Sequence, residues 1–329
     1  MEEQSKKRSV LKKIAAAALP LFLSGILLGN YISKQIIQKP QTEYTQQVSP
    51  ARENNTQQEK TETLENICKY HQIDQKIKNR IKELTETQKY KTTLEAMFIE
   101  ATKYEDYFQK AAEKTGLEKE LIKAYITVES GHTGFSHNAE SHRGAIGPAQ
   151  MLEQAAREVD LKIIKSEDGE ILYDERRDPK KVIIASAEYL KKYADYAGDT
   201  ILGLASYNAG PGALERLIKI KKTDTFAELF KKRPETMRYV IEVISRTCIL
   251  KNIQKYGLNL VKKPLYSKMM DYTQEHTLKE GETINSLANK YNTAPKWIKK
   301  ANPAIINIDK VPAGIKIHVP KIYKTNTRK

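Results

Sequence analysis

Between about residues 93 and 256 the apolar residues of this chain recur at helical spacing, and one short stretch breaks the pattern. An apolar stripe of that period is buried by packing helix on helix, which makes this part of the chain mainly α. The periodicity predicts segments near 94–114, 118–130, 149–159, 179–196, 199–208, 211–221 and 235–255. Gly116, Gly131, Gly198 and Gly210 punctuate them as C-terminal caps or turns. The break lies at 162–173, where Ile163-Ile164 and Ile171-Leu172 flank Glu167-Asp168-Gly169. That pattern predicts a small β-hairpin inserted in the helical domain.

A chain of 329 residues is too long for one ordinary core. Residues 1–13 are basic (Lys6, Lys7, Arg8, Lys12, Lys13), and 14–33 are uncharged and rich in Ala, Leu and Ile. About 20 such residues span a bilayer as a helix, and the basic flank then stays in the cytoplasm. The same stretch also fits a cleaved secretory signal, although no clean small-x-small site follows it. Either way the rest of the chain is expected outside the cytoplasm, anchored to the membrane or secreted. Residues 34–92 read as a polar linker, partly helical. Its first part has too little apolar content to fold. In 61–92, Leu64, Ile67, Ile73, Ile77, Ile81 and Leu84 predict a lone or loosely docked helix. The helical domain at 93–256 and a connector at 257–272 precede a small unit at 273–321. That unit reads strand (276–278), helix (284–291), helix (295–301), strand (316–319).

Lysine and arginine number 56 against 41 acidic residues, a net charge of +15 that suits an anionic partner such as nucleic acid, an acidic membrane or a wall polymer. Runs such as Lys191-Lys192, Lys231-Lys232-Arg233 and Lys262-Lys263 read as solvated helix faces. No nucleic-acid motif or aromatic-interleaved basic platform accompanies them, so nucleic acid is not an expected partner. Two cysteines, Cys68 and Cys248, exclude a disulfide framework and a Cys-rich zinc module, and leave open one bridge or two thiols. His132, His137 and His142 are spaced by five in a loop-like composition rather than at helical ligand spacing, so no metal or other cofactor is expected.

The sharpest chemical feature is Glu129. Ile122, Tyr125, Ile126 and Glu129 fall at i, i+3, i+4 and i+7 on one helix face. A carboxyl at the end of an inward face is partly desolvated, which raises its pKa. A protonated carboxyl in an apolar cleft is a general acid. Taken alone, the fragment reads more readily as an ordinary exposed glutamate in a last helical turn.

Glu129-Ser130-Gly131 is followed by Gly144-Ala145-Ile146-Gly147-Pro148-Ala149-Gln150, by Ala205-Ser206-Tyr207-Asn208-Ala209-Gly210 and by Glu235-Thr236-Met237-Arg238-Tyr239. In this order they resemble the lytic transglycosylases of the soluble-transglycosylase type, a lysozyme-like family. The resemblance implies that Glu129 is the single catalytic acid and base. It implies that Ser130, Gly144, Ala145, Gln150, Tyr207, Asn208 and Tyr239 line the sugar groove, with Glu235 structural or groove-lining. The implied reaction breaks the bond between N-acetylmuramic acid and N-acetylglucosamine and closes a 1,6-anhydro ring. A hydrolysing muramidase or chitinase on the same fold and a non-catalytic wall-binding scaffold are the alternatives. Between Glu129 and Gly144 the chain runs about three residues longer than the family pattern, and Met151-Leu152-Glu153 departs from it.

Residues 273–321, through Gly281, Thr283, Ile284, Leu287, Asn302-Pro303 and Gly314 to Pro320, resemble a LysM domain, a βααβ glycan-binding module. The resemblance implies glycan contacts at Gly281, Thr283, Ile284 and Ile306, and peptidoglycan strands as the partner. Trp297 reads as packing more than as a sugar platform. The oligomeric state is open.

Overall fold

The computed structural model describes residues 64–131, 135–221, 223, 225–260 and 273–320. The chain divides into a unit Met1–Asn66 and a unit Ile67–Lys329, and the account below concerns the second. The anchor or signal expected at 14–33 lies outside the described residues, as do most of the connector, His132, Lys222 and Lys262-Lys263. Among the described residues no helix is long and apolar enough to cross a membrane.

The helical part comprises α1 (Leu64–Tyr70), α2 (Asp74–Glu86), α3 (Gln88–Ala101), α4 (Glu105–Thr115), α5 (Lys119–Ser130), α6 (Glu153–Arg157), α7 (Pro179–Ala197), α8 (Thr200–Ala209), α9 (Pro211–Lys221), α10 (Phe226–Leu229) and α11 (Pro234–Lys251). Helix α5 is the axis. Leu121, Ile122, Ala124, Tyr125 and Ile126 are all buried, so the helix is enclosed on most of its girth. It packs against α11 and α4, and α4 in turn packs on α7. Gly116, at φ 71°, caps α4, and Gly131, at φ 50°, ends α5. Helix α7 starts where the sequence signals it: Asp178 accepts from the Lys180 N–H as N-cap, and Pro179 fills the first turn. Helices α7 and α8 approach so closely that a Cβ on Gly203 would lie 2.7 Å from Ala194 Cα.

The structure departs from the expected segments in three places. The helix expected at 94–114 is two helices, α3 and α4, separated by a 3₁₀ turn at Thr102–Tyr104. The segment expected at 149–159 is helical only in α6, because Ile146 and Met151 bridge each other and hold the residues between them in a turn. The polar stretch 61–92 holds α1, α2 and the start of α3, and it is docked: Ile73, Ile77 and Leu84 are buried, and Arg80 Nε donates to Glu242 Oε2 at 2.6 Å. Buried His71 accepts the Phe226 N–H at Nδ1 (3.0 Å), and its Nε2 lies 3.1 Å from Asp199. Cys68 and Cys248 do not form a disulfide with each other.

The hairpin forms as expected, from β1 (Ile163–Lys165) and β2 (Ile171–Asp174), paired antiparallel with Ile164 opposite Tyr173. The C-terminal unit is β3 (Thr273–Thr277), α12 (Ile284–Lys290), α13 (Pro295–Ala301) and β4 (Lys316–Pro320), with β3 and β4 antiparallel. Thr283 and Ser286 form a reciprocal capping box at the start of α12.

Its core of Leu278, Ile284, Leu287, Ile298, Ile305, Ile317 and Val319 is completed by Tyr173 from the hairpin. Strand β2 is extended by the loop at 304–306. Asp174 N–H donates to Ala304 O at 2.8 Å, Ile306 N–H donates to Leu172 O at 3.0 Å, and Tyr173 bridges Ile305 antiparallel. Outside this bridge, Glu170 meets Asn307 and Lys310 at 3.2 and 2.9 Å. The two described parts are therefore joined by backbone hydrogen bonds over a shared apolar core. The Asp174 and Ile306 amides should exchange slowly and in step. Ile305→Ala, which removes about 2–5 kcal/mol of packing, should accelerate both. Rapid exchange of both amides in the unaltered protein contradicts the docking.

Candidate active site

Glu129 sits in the last turn of α5, directly before the buried Ser130 and the helix end at Gly131. As a residue it is half-buried, yet its carboxyl is crowded. Burial pushes that carboxyl up to about 8, and an interaction with the Tyr239 hydroxyl pulls it back by a smaller amount. The C-terminal end of a helix carries partial negative charge, which also disfavours a carboxylate there. Tyr239, on the first turns of α11, is buried, and burial drives its own pKa well up. Its hydroxyl makes no well-formed hydrogen bond among the described residues. The Glu129–Tyr239 approach is thus electrostatically significant but loose, as pairs that tighten only around a substrate are.

The turn at 144–151 faces this carboxyl's neighbours. It is closed by reciprocal bonds between Ile146 and Met151 (3.1 and 3.3 Å) and by Gln150 N–H to Gly147 O (3.1 Å). Gly147 (φ 76°) and Gln150 (φ 45°) both adopt left-handed backbone. At Gly147 no other residue fits, since a Cβ would lie 1.9 Å from Arg176 O. Gln150 turns its side-chain amide back to Gly147 O at 2.9 Å. Two backbone carbonyls of the turn then collect side chains from two helices. Ser130 Oγ donates to Pro148 O at 2.9 Å, and the Tyr207 hydroxyl donates to Ala149 O at 2.8 Å. The Tyr207 ring is set by Tyr125 and Tyr189, with ring centroids 5.4 and 5.7 Å away.

The structure therefore places Tyr239 beside Glu129, and ties Ser130 and Tyr207 to the turn that carries Gln150. Gly144 is exposed at φ 76°, Ala145 is buried and donates its N–H to Ser141 Oγ, and Asn208 is half-buried beside Tyr207. Glu235 is exposed on the first turn of α11. His137 and His142 are exposed loop residues.

Sequence reasoning missed Asp174 and Arg176. Both are buried, at 0% and 1% exposure, although they sit in a run of five charged residues, 174–178. Arg176 Nε and Nη2 grip Asp174, the shortest bond being 2.7 Å, and Nη1 donates to Gly144 O and Met151 O at 3.3 and 3.2 Å. The available signal was position: the run follows directly on an apolar strand and leads into a proline-started helix, where solvated charge is out of place.

In the C-terminal unit, Gly281 (φ 77°) and Thr283 are exposed on the loop between β3 and α12. That loop is anchored by Glu282, whose carboxylate lies 2.6 Å from His276 Nε2, while His276 Nδ1 meets the Tyr291 hydroxyl at 2.9 Å. Ile284 differs from expectation: its side chain is fully buried in the core, so only its backbone faces the loop. The Ile306 amide is already bonded to Leu172 O. Trp297 is half-buried, with Lys296 and Lys300 each 5.5 Å from its ring centroid.

The transglycosylase SLT domain matches residues 106–230, and the LysM domain matches residues 276–320. The membrane-bound lytic murein transglycosylase D of Escherichia coli K12 is 30% identical over 189 residues, covering 55% of this chain and 39% of that protein. The chain thus spans about two fifths of that curated relative. Among solved structures, an inactive mutant of lytic transglycosylase Slt from Pseudomonas aeruginosa is 20% identical. It aligns over 60% of this chain and 32% of its own, at a TM-score of 0.37. The 70 kDa soluble lytic transglycosylase of E. coli is 16% identical over 64% of this chain and 39% of its own, at 0.39.

The raised carboxyl has a consequence for stability. The folded protein binds the Glu129 proton more tightly than the unfolded chain does, so Glu129 costs stability increasingly as pH rises from the ordinary carboxylate range through about 8. Glu129→Gln removes that cost. The variant should melt above the wild type, with a gap that widens up to about pH 8. Identical melting curves across that range contradict a desolvated carboxyl.

Proposed function

We propose that this chain, with its transglycosylase SLT domain at 106–230 and LysM domain at 276–320, is a peptidoglycan lytic transglycosylase working outside the cytoplasm. The observation that carries this reading is the place of Glu129 at the end of the buried helix α5, beside the Tyr239 hydroxyl and within the matched SLT region, where burial pushes its carboxyl up to about 8. A hydrolysing glycosidase ordinarily uses two carboxyl groups, one for the leaving oxygen and one as nucleophile or water activator. A lone acid suits a reaction in which the substrate supplies the rest.

Glu129, protonated at neutral pH, gives its proton to the glycosidic oxygen between N-acetylmuramic acid and N-acetylglucosamine. The substrate's own acetamido group stabilises the cationic carbon. The Glu129 carboxylate, now facing the Tyr239 hydroxyl, takes the proton from the muramic C6 hydroxyl. That oxygen closes on C1 as a 1,6-anhydro ring, and Glu129 returns to its starting state with no water consumed. Ser130, Gly144, Ala145, Gln150, Tyr207 and Asn208 are proposed to hold the strand across the turn. Gly281, Thr283 and the backbone of Ile284 are proposed to give the LysM domain a second grip on the glycan. Because that domain is bridged to the hairpin rather than hung on a linker, the second contact acts at a fixed distance from Glu129. The N-terminal segment 14–33 is proposed to anchor or export the protein.

Digestion of purified peptidoglycan, followed by mass spectrometry, should give anhydro ends, each lighter than a reducing end by one water. Reducing ends instead mean hydrolysis. Glu129→Gln should abolish lysis while leaving wall binding intact, and unchanged lysis removes the assignment. The rate should fall on the alkaline side as pH passes about 8, where the acid is lost.

A further inference from the structure

We propose that Arg176 is a positioning residue for this reaction: it fixes the 144–151 turn, and through the turn the hydroxyls of Ser130 and Tyr207 around Glu129. The inference rests on the functional reading above. Arg176 touches the turn at three points. Its Nη1 donates to Gly144 O and Met151 O, at the two ends. Its own carbonyl oxygen occupies the space that a side chain on Gly147 would need, at the tip. Asp174 locks the guanidinium from the opposite side through Nε and Nη2 and also accepts the Arg176 backbone N–H at 3.0 Å. Asp174 is in turn clamped from outside, because its amide donates to Ala304 O. The turn passes this order on: Pro148 O receives Ser130, and Ala149 O receives Tyr207.

A buried ion pair is weak support for stability, since apolar residues of similar volume often serve as well. What the pair supplies here is direction. A planar guanidinium with five donors satisfies a carboxylate and two carbonyls at once, and an ammonium does not match that fork. Displacing a groove by about 1 Å is enough to cost roughly 100-fold in rate, so the turn's placement bears on catalysis and not only on folding.

The test uses the full chain with Arg176→Lys and Asp174→Asn. Arg176→Lys should unfold cooperatively, with kcat on soluble glycan strands reduced about 10- to 100-fold and KM changed far less. Its alkaline pH limb should stay where the wild type has it. Amide exchange at Gly144, Ala145, Gln150 and Met151 should accelerate, while that of the α5 core stays unchanged. Asp174→Asn should shift kcat and turn exchange in the same direction by a smaller factor, and it carries the test if Arg176→Lys does not fold. A folded variant with wild-type kcat, or one whose turn amides exchange as in the wild type, overturns the proposal. So does a loss of rate that is matched by a general loss of protection throughout the domain. If the unaltered protein forms no anhydro ends, the functional reading fails by itself, and the exchange measurement still decides whether Arg176 holds the turn.

Discussion

The structure depends on the desolvation of one carboxyl. Helix α5 is buried along Ile122, Tyr125 and Ile126, and the same face ends in Glu129. Burying that face is favourable, because each large apolar side chain removed from water contributes about 1.5–3 kcal/mol. The carboxyl at its end is carried into crowded surroundings as a consequence. Its raised pKa is the cost of its position, and under the proposed function that cost is what keeps a proton on Glu129 at neutral pH. The carboxyl has one loose partner, Tyr239, instead of the firm hydrogen bonds that would return it to the ordinary range.

The remaining parts hold the other side of the groove still. The 144–151 turn has left-handed backbone at Gly147 and Gln150, buries Ala145, Ile146, Ala149 and Met151, and bonds Ile146 to Met151. Its position is also tied to what converges on it: Ser130 from α5, Tyr207 from α8, and Arg176 from beyond the hairpin. The hairpin has two faces of use. One end carries Asp174 towards the turn, and the other strand edge receives the LysM loop at 304–306. The transglycosylase SLT region and the LysM domain thus share a structural element.

Much of this was legible in the sequence, because the signals were local. The i, i+3, i+4, i+7 pattern placed Glu129 at the inner end of a helix, and apolar pairs flanking Glu167-Asp168-Gly169 gave the hairpin. Apolar spacing from residue 179 marked α7. Of the residues in the four motifs, Tyr239 lies beside Glu129 and Ser130 and Tyr207 bond the 144–151 turn, while Gly144 and Glu235 are exposed. What could not be read was long-range. Nothing in Thr102-Lys103-Tyr104 signals the break between α3 and α4, which is imposed by packing. The polar composition of 61–92 hid a docked face, because three of its six leucines and isoleucines, Ile73, Ile77 and Leu84, are spent on the core. In the charged run at 174–178, only the fold reveals that Asp174 and Arg176 satisfy each other and two backbone carbonyls in the interior. In the LysM domain, Ile284 and Ile306 were read for their position in a loop, whereas burial of one side chain and the hairpin's claim on one amide redefine what they offer a ligand.

Direct titration of the Glu129 carboxyl tests the account at its centre. With the glutamate side-chain carboxyl carbons labelled with ¹³C and Glu129 assigned by comparison with Glu129→Gln, the resonance should titrate with a midpoint near 8, far above the protein's exposed glutamates. A midpoint in the ordinary carboxylate range would contradict it, because the group would then be ionised at neutral pH with no proton to give.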